Sequence, residues 1–442
     1  MKLFIAAFLS ASSVFTAQAA QPDWPQVEQH AIRLLQHYVQ IKSINPPADT
    51  SAAAQFLQKE LAADGLRAEL YKVDGGGKTN LLVRLPGRDH SKKPLLLLNH
   101  MDVVPADTTR WKQDPFAALI EGGQMWGRGT LDMKSTAIMQ LTALTLLKQL
   151  GIVPPRDILF LSDCDEETGG SDGASWMIEN HWDQLDPAYV LDEGGIGSRD
   201  LYTSGKLVFG VSVADKQVLW LRLRAQGISG HGSQPIPDNA NDILLRAIEK
   251  AKAFSPAQKP NPIVTAMREA VGEFASNKFM NAVQQNTMSL TTLRSGVGNP
   301  PKANVIPSLA EATLDCRLLP GQNADEFISE IKARINDPRV SVERISSKPD
   351  DPQPSPTDTA LYRTLKAALV KENPGATVLP VIVPYGTDGQ KFRMKAVPTY
   401  GLMPMVLDAA NIATMHSDSE HIPVDQFRKG LHVYFDILQS EF

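Results

Sequence analysis

Cysteine is scarce in this sequence: only Cys164 and Cys316 occur among 442 residues. Two thiols so far apart cannot make a thiolate zinc cluster, so any bound metal would need histidine and carboxylate ligands. Both cysteines lie in apolar, strand-like runs. One disulfide between them is compatible with an oxidising compartment, but a buried free thiol is the commoner state for a cysteine in such a run.

Long basic runs and long apolar runs are also missing. The formal net charge is -5 at pH 7, and the lack of a basic run argues against a nucleic acid as partner. The apolar stretch over residues 3–15 is too short to span a bilayer. We therefore expect no stable membrane anchor.

The N-terminal residues predict export. Lys2 supplies a positive charge, residues 3–15 are mostly apolar, and the sequence Ala-Gln-Ala at 17–19 is a small-x-small cleavage site, as in a secretory signal peptide. No cysteine follows that site, which disfavours a lipoprotein. We predict a signal peptide over residues 1–19 and secretion across the inner membrane, to a periplasmic or extracellular location.

The length and the pattern of strands predict two domains. Strands alternate with helices up to about residue 210, which is typical of an α/β domain with a central mixed sheet flanked by helices. From 218 to 225 apolar and polar residues alternate, as in a half-exposed antiparallel sheet. The β-α-β-β-α-β order that follows predicts an inserted α+β, ferredoxin-like module.

A proline-rich stretch at 348–357 is expected to lead back into the first domain. The predicted ranges are a signal peptide over 1–19, a first domain over 20–212 and 348–442, and an inserted domain over 213–347.

One apolar strand carries the first candidate site. Residues 95–98 are four leucines, and Asn-His100-Met-Asp102 follows them. Neutral imidazole is a good ligand for a zinc-like ion, and a carboxylate two residues away in an extended segment can hold the other ring nitrogen. His100 is then the ligand and Asp102 its partner. Taken alone, this spacing is more typical of a chance meeting at a strand end or of a surface pair.

Further carboxylates follow two other apolar strands. Residues 158–161 lead into Asp-Cys-Asp-Glu166-Glu167, and residues 189–191 lead into Asp192-Glu193. Ligand groups gather at the carboxyl ends of strands in such sheets, and crowded acids are costly unless a cation compensates them. A single acidic cluster would indicate a solvated loop, but three strand ends favour a pair of divalent ions. His416, in a later loop, is the candidate last ligand.

The order of these motifs can be compared with a known family. The motifs are His100-x-Asp102, Gly-x-x-Asp132-Met-Lys, Asp-Glu166-Glu167-x-Gly, Asp-Glu193-Gly, Gly-His231-x-Ser and His416-x-x-x-Glu420. Together they resemble the dinuclear zinc metallopeptidase and deacylase family of aminoacylase, glutamate carboxypeptidase, acetylornithine deacetylase and succinyl-diaminopimelate desuccinylase. The aminoacylase and yeast-type carboxypeptidase branches are the most similar, and the resemblance covers essentially all of the mature chain.

The resemblance implies a site with two divalent metal ions. Asp132 would bridge them, with His100 and Glu193 completing one half and Glu167 and His416 the other. Zinc is the expected metal, although histidine and carboxylate ligands also accept cobalt or manganese. The family also implies a cis peptide bond after the bridging aspartate.

Two assignments within that site follow from the resemblance. Glu166 would be the general base, adjacent to a metal ligand but not itself one. Some branches use an aspartate where Asp192 stands, and the Leu-Asp-Glu-Gly register favours Glu193 as the ligand.

In the family the inserted module is a lid or dimerisation domain. His231 matches a transition-state donor that often acts across the dimer, which implies a homodimer through this module. Asn304 and Arg317 match positions that bind a substrate carboxylate or the oxyanion, but a salt bridge on the strand surface explains Arg317 equally well. Further candidates for substrate binding are Gly386, Thr387 and, less strongly, Arg393.

The function implied is hydrolysis of an amide bond in a small peptide or an N-acyl amino acid. A carboxypeptidase, another exopeptidase or an aminoacylase would each fit. Two other classes stay open at this point: a binding protein that keeps the fold without the chemistry, and a hydrolase of another bond type that uses one metal or a metal other than zinc.

Overall fold

The computed structural model describes residues 21–73, 76–253, 260–346 and 352–442. The predicted signal peptide and the first part of the proline-rich stretch lie outside these residues. Up to residue 198 the helices and strands are α1 (Trp24–Gln40), α2 (Ser51–Ala63), β1 (Glu69–Lys72), β2 (Thr79–Leu85), β3 (Leu95–His100), β4 (Leu119–Glu121), β5 (Gln124–Trp126), α3 (Ser135–Gln149), β6 (Ile158–Asp163), α4 (Ala174–Asn180), α5 (Trp182–Leu185) and β7 (Tyr189–Ser198).

The middle of the chain, from residue 208 to residue 344, contains β8 (Val208–Asp215), β9 (Gln217–Gln226), β10 (Gly230–His231), α6 (Ala240–Lys252), α7 (Pro262–Val271), α8 (Lys278–Val283), β11 (Thr287–Ser295), β12 (Val305–Ile306), β13 (Leu309–Leu318), α9 (Ala324–Ile335) and β14 (Val340–Arg344). The last part contains α10 (Ala360–Glu372), β15 (Thr377–Val383), α11 (Gly389–Met394), β16 (Thr399–Val406), α12 (Ala409–Ile412), β17 (His421–Pro423) and α13 (Val424–Gln439).

An eight-stranded mixed sheet forms the centre of the molecule, in the order β1-β2-β6-β3-β7-β16-β8-β15. Its inner strands are apolar because both faces are covered by helices; every residue of β3 and of β6 is buried. The helix α3 is buried over almost its whole length, and it packs with α13 on one face of the sheet. This arrangement is the predicted α/β class.

The register of three parallel strands brings the candidate ligands together. β3 lies between β6 and β7 and is parallel to both, with His100 opposite Asp163 and Leu97 opposite Leu191. Parallel strands end at the same edge of a sheet. The residues that follow β6 and the middle of β7 therefore lie next to His100.

Two strands of the large sheet were not correctly predicted. β7 was expected to end at Asp192 but continues to Ser198, and β8 was not predicted. The glycine-rich residues after Glu193 have weak strand propensity on their own. Pairing with β16 and β8 keeps them extended, which shows tertiary contacts overriding local preference.

A second, four-stranded antiparallel sheet is built in the order β11-β13-β9-β14. Its buried face includes Leu219, Leu221 and Leu223, packed under α6 and α9, while Trp220 on the opposite face is exposed. The alternation predicted for β9 is therefore confirmed, as is the ferredoxin-like order of elements. The chain passes from the large sheet to the small one between Asp215 and Gln217; the exact domain ranges stay a prediction.

Lys216, at this crossing, is fully buried. Its Nζ donates to the carbonyl oxygens of Ala282 and Gln285, at 2.9 and 2.7 Å, and to Thr287 Oγ1 at 3.0 Å. These acceptors belong to a later passage between the two sheets, from α8 to β11. Lys216 therefore joins the connection between β8 and β9 to the connection between α8 and β11.

The helices α7 and α8 were not predicted, and they pack against the large sheet rather than the small one. Met267 and Met280 share an apolar cluster with Val208 and Leu379. An asparagine cap precedes α7 and a proline occupies its first turn, a combination typical of a helix start. Both features are visible in the sequence and indicate a helix start there.

Both cysteines are buried free thiols. Burial raises the pKa of Cys316 to about 12. The expectation of buried thiols is confirmed. Within the described residues, none of the helices is long and apolar enough to cross a membrane.

The close packing of β16 on β7 generates a prediction. A Cβ added at Gly401 would lie against the carbonyl oxygen of Glu193 and 2.9 Å from Ser212 Cβ, and a backbone atom has little room to move away. We expect Gly401→Ala to lower the free energy of unfolding by about 2 kcal/mol, measured by urea denaturation.

The matched control is Gly76→Ala, because the nearest atom to an added Cβ there is the Val73 carbonyl oxygen at 4.0 Å. It should leave stability unchanged. Equal stability of the two variants would show that β16 and β7 can separate more readily than their packing suggests.

Candidate metal centre

His100 is the last residue of β3, and each nitrogen of its ring has a polar contact. Nε2 lies 2.9 Å from Asp132 Oδ1, and Nδ1 lies 2.9 Å from the carbonyl oxygen of Asp102 and 3.5 Å from its Oδ1. The ring is 2% exposed. Asp102 therefore contacts His100 through its backbone carbonyl, whereas the prediction placed its carboxylate on the ring nitrogen.

Asp132 lies in a tight turn over Thr130–Lys134, after Gly129 in a left-handed conformation. The peptide bond between Asp132 and Met133 is cis, as the resemblance implies. One carboxylate oxygen faces His100, and the other lies 3.0 Å from Nε2 of His416. A single carboxylate therefore stands between two imidazole nitrogens.

Three glutamates complete the cluster. Glu193 Oε1 lies 3.7 Å from His100 Nε2, and Glu167 Oε2 lies 3.4 Å from His416 Nε2. Side-chain atoms of His100, Glu166 and Glu193 lie within 4.8 Å of one another. The five predicted metal ligands and the predicted base are thus brought into one place, arranged as two groups on either side of Asp132.

Several carboxylates lie close together in the cluster, and a bound cation would stabilise their charged forms. Burial, reinforced by the charge of Glu193, raises the pKa of Glu166 well above its ordinary value. Burial and the charge of Asp132 likewise raise the pKa of Glu193 and of Glu167. Glu167 Oε1 is buried and has no hydrogen-bond partner among the described residues. Histidine nitrogens and carboxylate oxygens suit zinc and similar ions, so the residues fit the expected pair of metals.

Asn45 belongs to the site but was not predicted. Its Nδ2 donates to Asp102 Oδ2 at 2.7 Å, and it also lies within reach of Asp165 Oδ1 and Thr168 Oγ1, at 3.2 and 3.1 Å. Asn45 therefore links Asp102 to the segment that carries Glu167.

Tyr385 was also missed. Its hydroxyl donates to the carbonyl oxygen of Gly194 at 3.2 Å. Burial, followed by the charges of Glu193 and Asp132, raises the pKa of this phenol, which places it in the field of both ligands. Tyr385 directly precedes Gly386 and Thr387, which were predicted to bind substrate. This neighbourhood was the signal available in the sequence.

The inserted module brings His231 and Asn304 together. His231 pairs with Val305 in a short two-stranded sheet, and Gly232 N donates to Asn304 O at 2.8 Å. His231 is exposed, with Nδ1 2.7 Å from Ser233 Oγ. Within the described part of this single chain it has no hydrogen bond or ion pair with the metal cluster.

The other predicted substrate-binding residues are engaged in contacts within the chain. Arg317 forms a bidentate pair with Asp315 on the same strand, at 2.7 and 3.0 Å, which is the salt bridge considered as its alternative. Arg393 is buried 3.0 Å from Asp215 Oδ2, and Thr387 Oγ1 lies 3.2 Å from the same oxygen. Gly386, in the same loop, is partly exposed. Their roles toward substrate stay predictions.

A model of peptidase family M20/M25/M40 matches residues 96–440. The chain belongs to this family. Aminoacylase-1 of Mus musculus is 27% identical over 421 residues, covering 94% of this chain and 96% of the mouse protein. The predicted family is thereby confirmed, and the chain is an M20 metallo-hydrolase.

Solved structures of the M20 fold agree with this. The M20 family metallo-carboxypeptidase Sso-CP2 of Sulfolobus solfataricus superposes with a TM-score of 0.73 at 19% identity, covering 92% of this chain and 98% of that one. The YXEP protein of Bacillus subtilis, described as a dinuclear metal-binding peptidase of the M20 family, gives a TM-score of 0.61 at 12% identity, covering 94% and 98%. The predicted fold class is confirmed.

The contacts of Asn45 generate a prediction for the metal centre. In Asn45→Ala the Asp102 carboxylate loses its closest donor, so both Asp102 and the segment of Glu167 should become less well ordered. Changes to such outer partners typically weaken metal binding by roughly 10- to 100-fold. We expect a loss on that order, measured as zinc affinity by competition with a chromophoric chelator.

Ser43→Ala is the matched control. Ser43 is also fully buried and donates to the same strand end, at the carbonyl oxygen of Met101, but does not touch the Asp102 carboxylate. If both variants bound zinc as tightly as the parent protein, Asn45 would have no part in orienting the ligands.

Proposed function

We propose that this M20 enzyme is an exported hydrolase that cleaves the amide bond of a small peptide or an N-acyl amino acid with water activated at a dinuclear metal centre. The observation that carries the proposal is the position of Asp132. Its two carboxylate oxygens face Nε2 of His100 and of His416, at 2.9 and 3.0 Å. A short carboxylate between two ligand groups is what a bridged pair of ions requires.

This geometry supports the roles proposed for the residues. His100 and Glu193 would hold one ion, His416 and Glu167 would hold the other, and Asp132 would be shared. Two divalent ions in these positions would lower the pKa of a shared water and polarise the scissile carbonyl. Zinc is the ion proposed.

Proton transfer is assigned to Glu166. Its carboxylate accepts the proton of the attacking water and returns it to the leaving amine, so that a carboxylic acid and a free amino acid are released. His231, from the inserted module, donates a hydrogen bond to the developing oxyanion. Asn304 and Arg317 lie in the same module and would bind the substrate's polar groups.

The inserted module also supports a homodimer. β11 is an edge strand of the small sheet, and Leu290 and Leu293 on it are 37% and 54% exposed. An edge strand can pair with another chain, and an exposed apolar patch is typical of an interaction site. A partner subunit there would also explain why His231 has no contact with the metal cluster of its own chain.

The assignment of Glu166 generates a test of the function. In Glu166→Gln a neutral amide replaces the base while all proposed metal ligands remain. We expect turnover of dipeptides and N-acyl amino acids to be lost while elemental analysis still finds two metals per chain. Treatment of the parent enzyme with a chelator should abolish the same activity.

Glu179→Gln is the control, since Glu179 is exposed on α4, and it should keep full activity. Loss of a metal equivalent in Glu166→Gln would make Glu166 a ligand and reverse its assignment with Glu167. Activity that survives complete metal removal would overturn the proposed function.

The position of His231 generates a second test. Removing one oxyanion donor typically lowers turnover by roughly 10²- to 10³-fold, so we expect His231→Ala to lose turnover on that order with unchanged metal content and a smaller change in KM. His90→Ala is the control, because His90 is exposed and remote from the cluster.

Mixing His231→Ala with Glu166→Gln tests whether the donor acts across a dimer. A heterodimer would contain one site with both native residues and one with neither, so part of the activity should return after subunit exchange. If verified heterodimers stayed inactive, His231 would act within its own chain or not at all.

A further inference from the structure

Glu420 holds the backbone of the bridging ligand. It is fully buried, and its Oε1 accepts the N–H groups of Leu131 and Asp132, at 2.8 and 3.2 Å. Its Oε2 pairs with Arg128 Nη1. The turn that presents Asp132 is therefore fixed by a carboxylate from a segment almost 300 positions later in the chain.

Arg128 holds the backbone of the last ligand. It is 1% exposed, and its Nη2 donates to the carbonyl oxygens of His416 and Ser417, at 3.2 and 3.1 Å. His416 has a φ of 60°, a left-handed conformation that residues other than glycine rarely adopt. Such a backbone persists only where its surroundings hold it, and Arg128 supplies that support.

The two contacts are reciprocal. Arg128 precedes Asp132 by four positions and binds the backbone of His416; Glu420 follows His416 by four positions and binds the backbone of Asp132. The ion pair then joins the two segments to each other. Each segment thus positions the ligand that the other one carries.

We propose that the Arg128–Glu420 pair is a positioning element that fixes the separation between the Asp132 carboxylate and the His416 ring. The inference rests on the proposed dinuclear function of this site. His100 is held independently by β3 and by Asp102. Loss of the pair should therefore weaken the half of the centre that contains His416 more than the half that contains His100.

The chemistry of the pair indicates which substitution is informative. The planar guanidinium reaches Glu420 and two carbonyl oxygens at once, whereas an ammonium group is a compact charge that cannot reproduce this fork. Arg128→Lys keeps the positive charge beside Glu420 but loses the simultaneous contacts. Glu420→Gln keeps the size and one acceptor oxygen but removes the charge that pairs with Arg128.

The experiment compares zinc binding by the two variants with that of the parent enzyme, by competition with a chromophoric chelator. We expect the affinity for one of the two zinc equivalents to fall by roughly 10- to 100-fold and the other to change much less. Circular dichroism and thermal unfolding of the metal-free proteins should show a native fold.

Arg110→Lys is the matched control. Arg110 Nε lies 2.8 Å from Asp418 Oδ2, in the loop that follows His416, and its side chain is 70% exposed. It contacts neither ligand. This variant should bind both zinc equivalents as the parent does.

Parent-like affinity for both equivalents in Arg128→Lys and Glu420→Gln would overturn the inference. So would equal weakening of both equivalents, or unfolding of both variants, because either result would assign the pair to general stability. A parent enzyme that binds two zinc ions yet hydrolyses no amide would contradict the proposed function while leaving this comparison of affinities intact.

Discussion

Carboxylates buried against one another are the constraint on which this structure depends. Asp132, Glu166, Glu167 and Glu193 meet at one edge of the large sheet, where burial raises the pKa of the three glutamates. Without a compensating positive charge, these carboxylates would repel one another and turn towards water. The parallel strands, the tight turn at Asp132 and the loop of His416 are all arranged so that cationic or metal partners can reach these acids.

Much of this could be predicted from sequence because the site follows strand ends. His100 and Glu166–Glu167 come directly after apolar runs, and in parallel strands such positions must meet. The burial of β3 and the alternation in β9 are likewise properties of short segments. They depend on the side chains in the segment itself and are visible before any tertiary structure is known.

Other features could not be predicted, because they arise from contacts between distant segments. Asn45 is far from Asp102 in the sequence, and only the fold brings the two residues together. The glycine-rich end of β7 has no strand pattern of its own and is extended only because β16 and β8 pair with it. Glu420 was known only as the last position of a motif and Arg128 was not singled out; their pairing is visible only when the turn and the loop are placed side by side.

The separation of the ligands along the chain has a consequence for the order of assembly. Along the sequence, all strands of the small sheet lie between His100 and His416. The segments that carry these two residues meet only when the fold is complete. A partly folded or truncated chain would bring together the ligands of at most one half of the metal centre. Because metal binding contributes its free energy only to the complete arrangement, bound metal would mark molecules that have finished folding and protect them from unfolding.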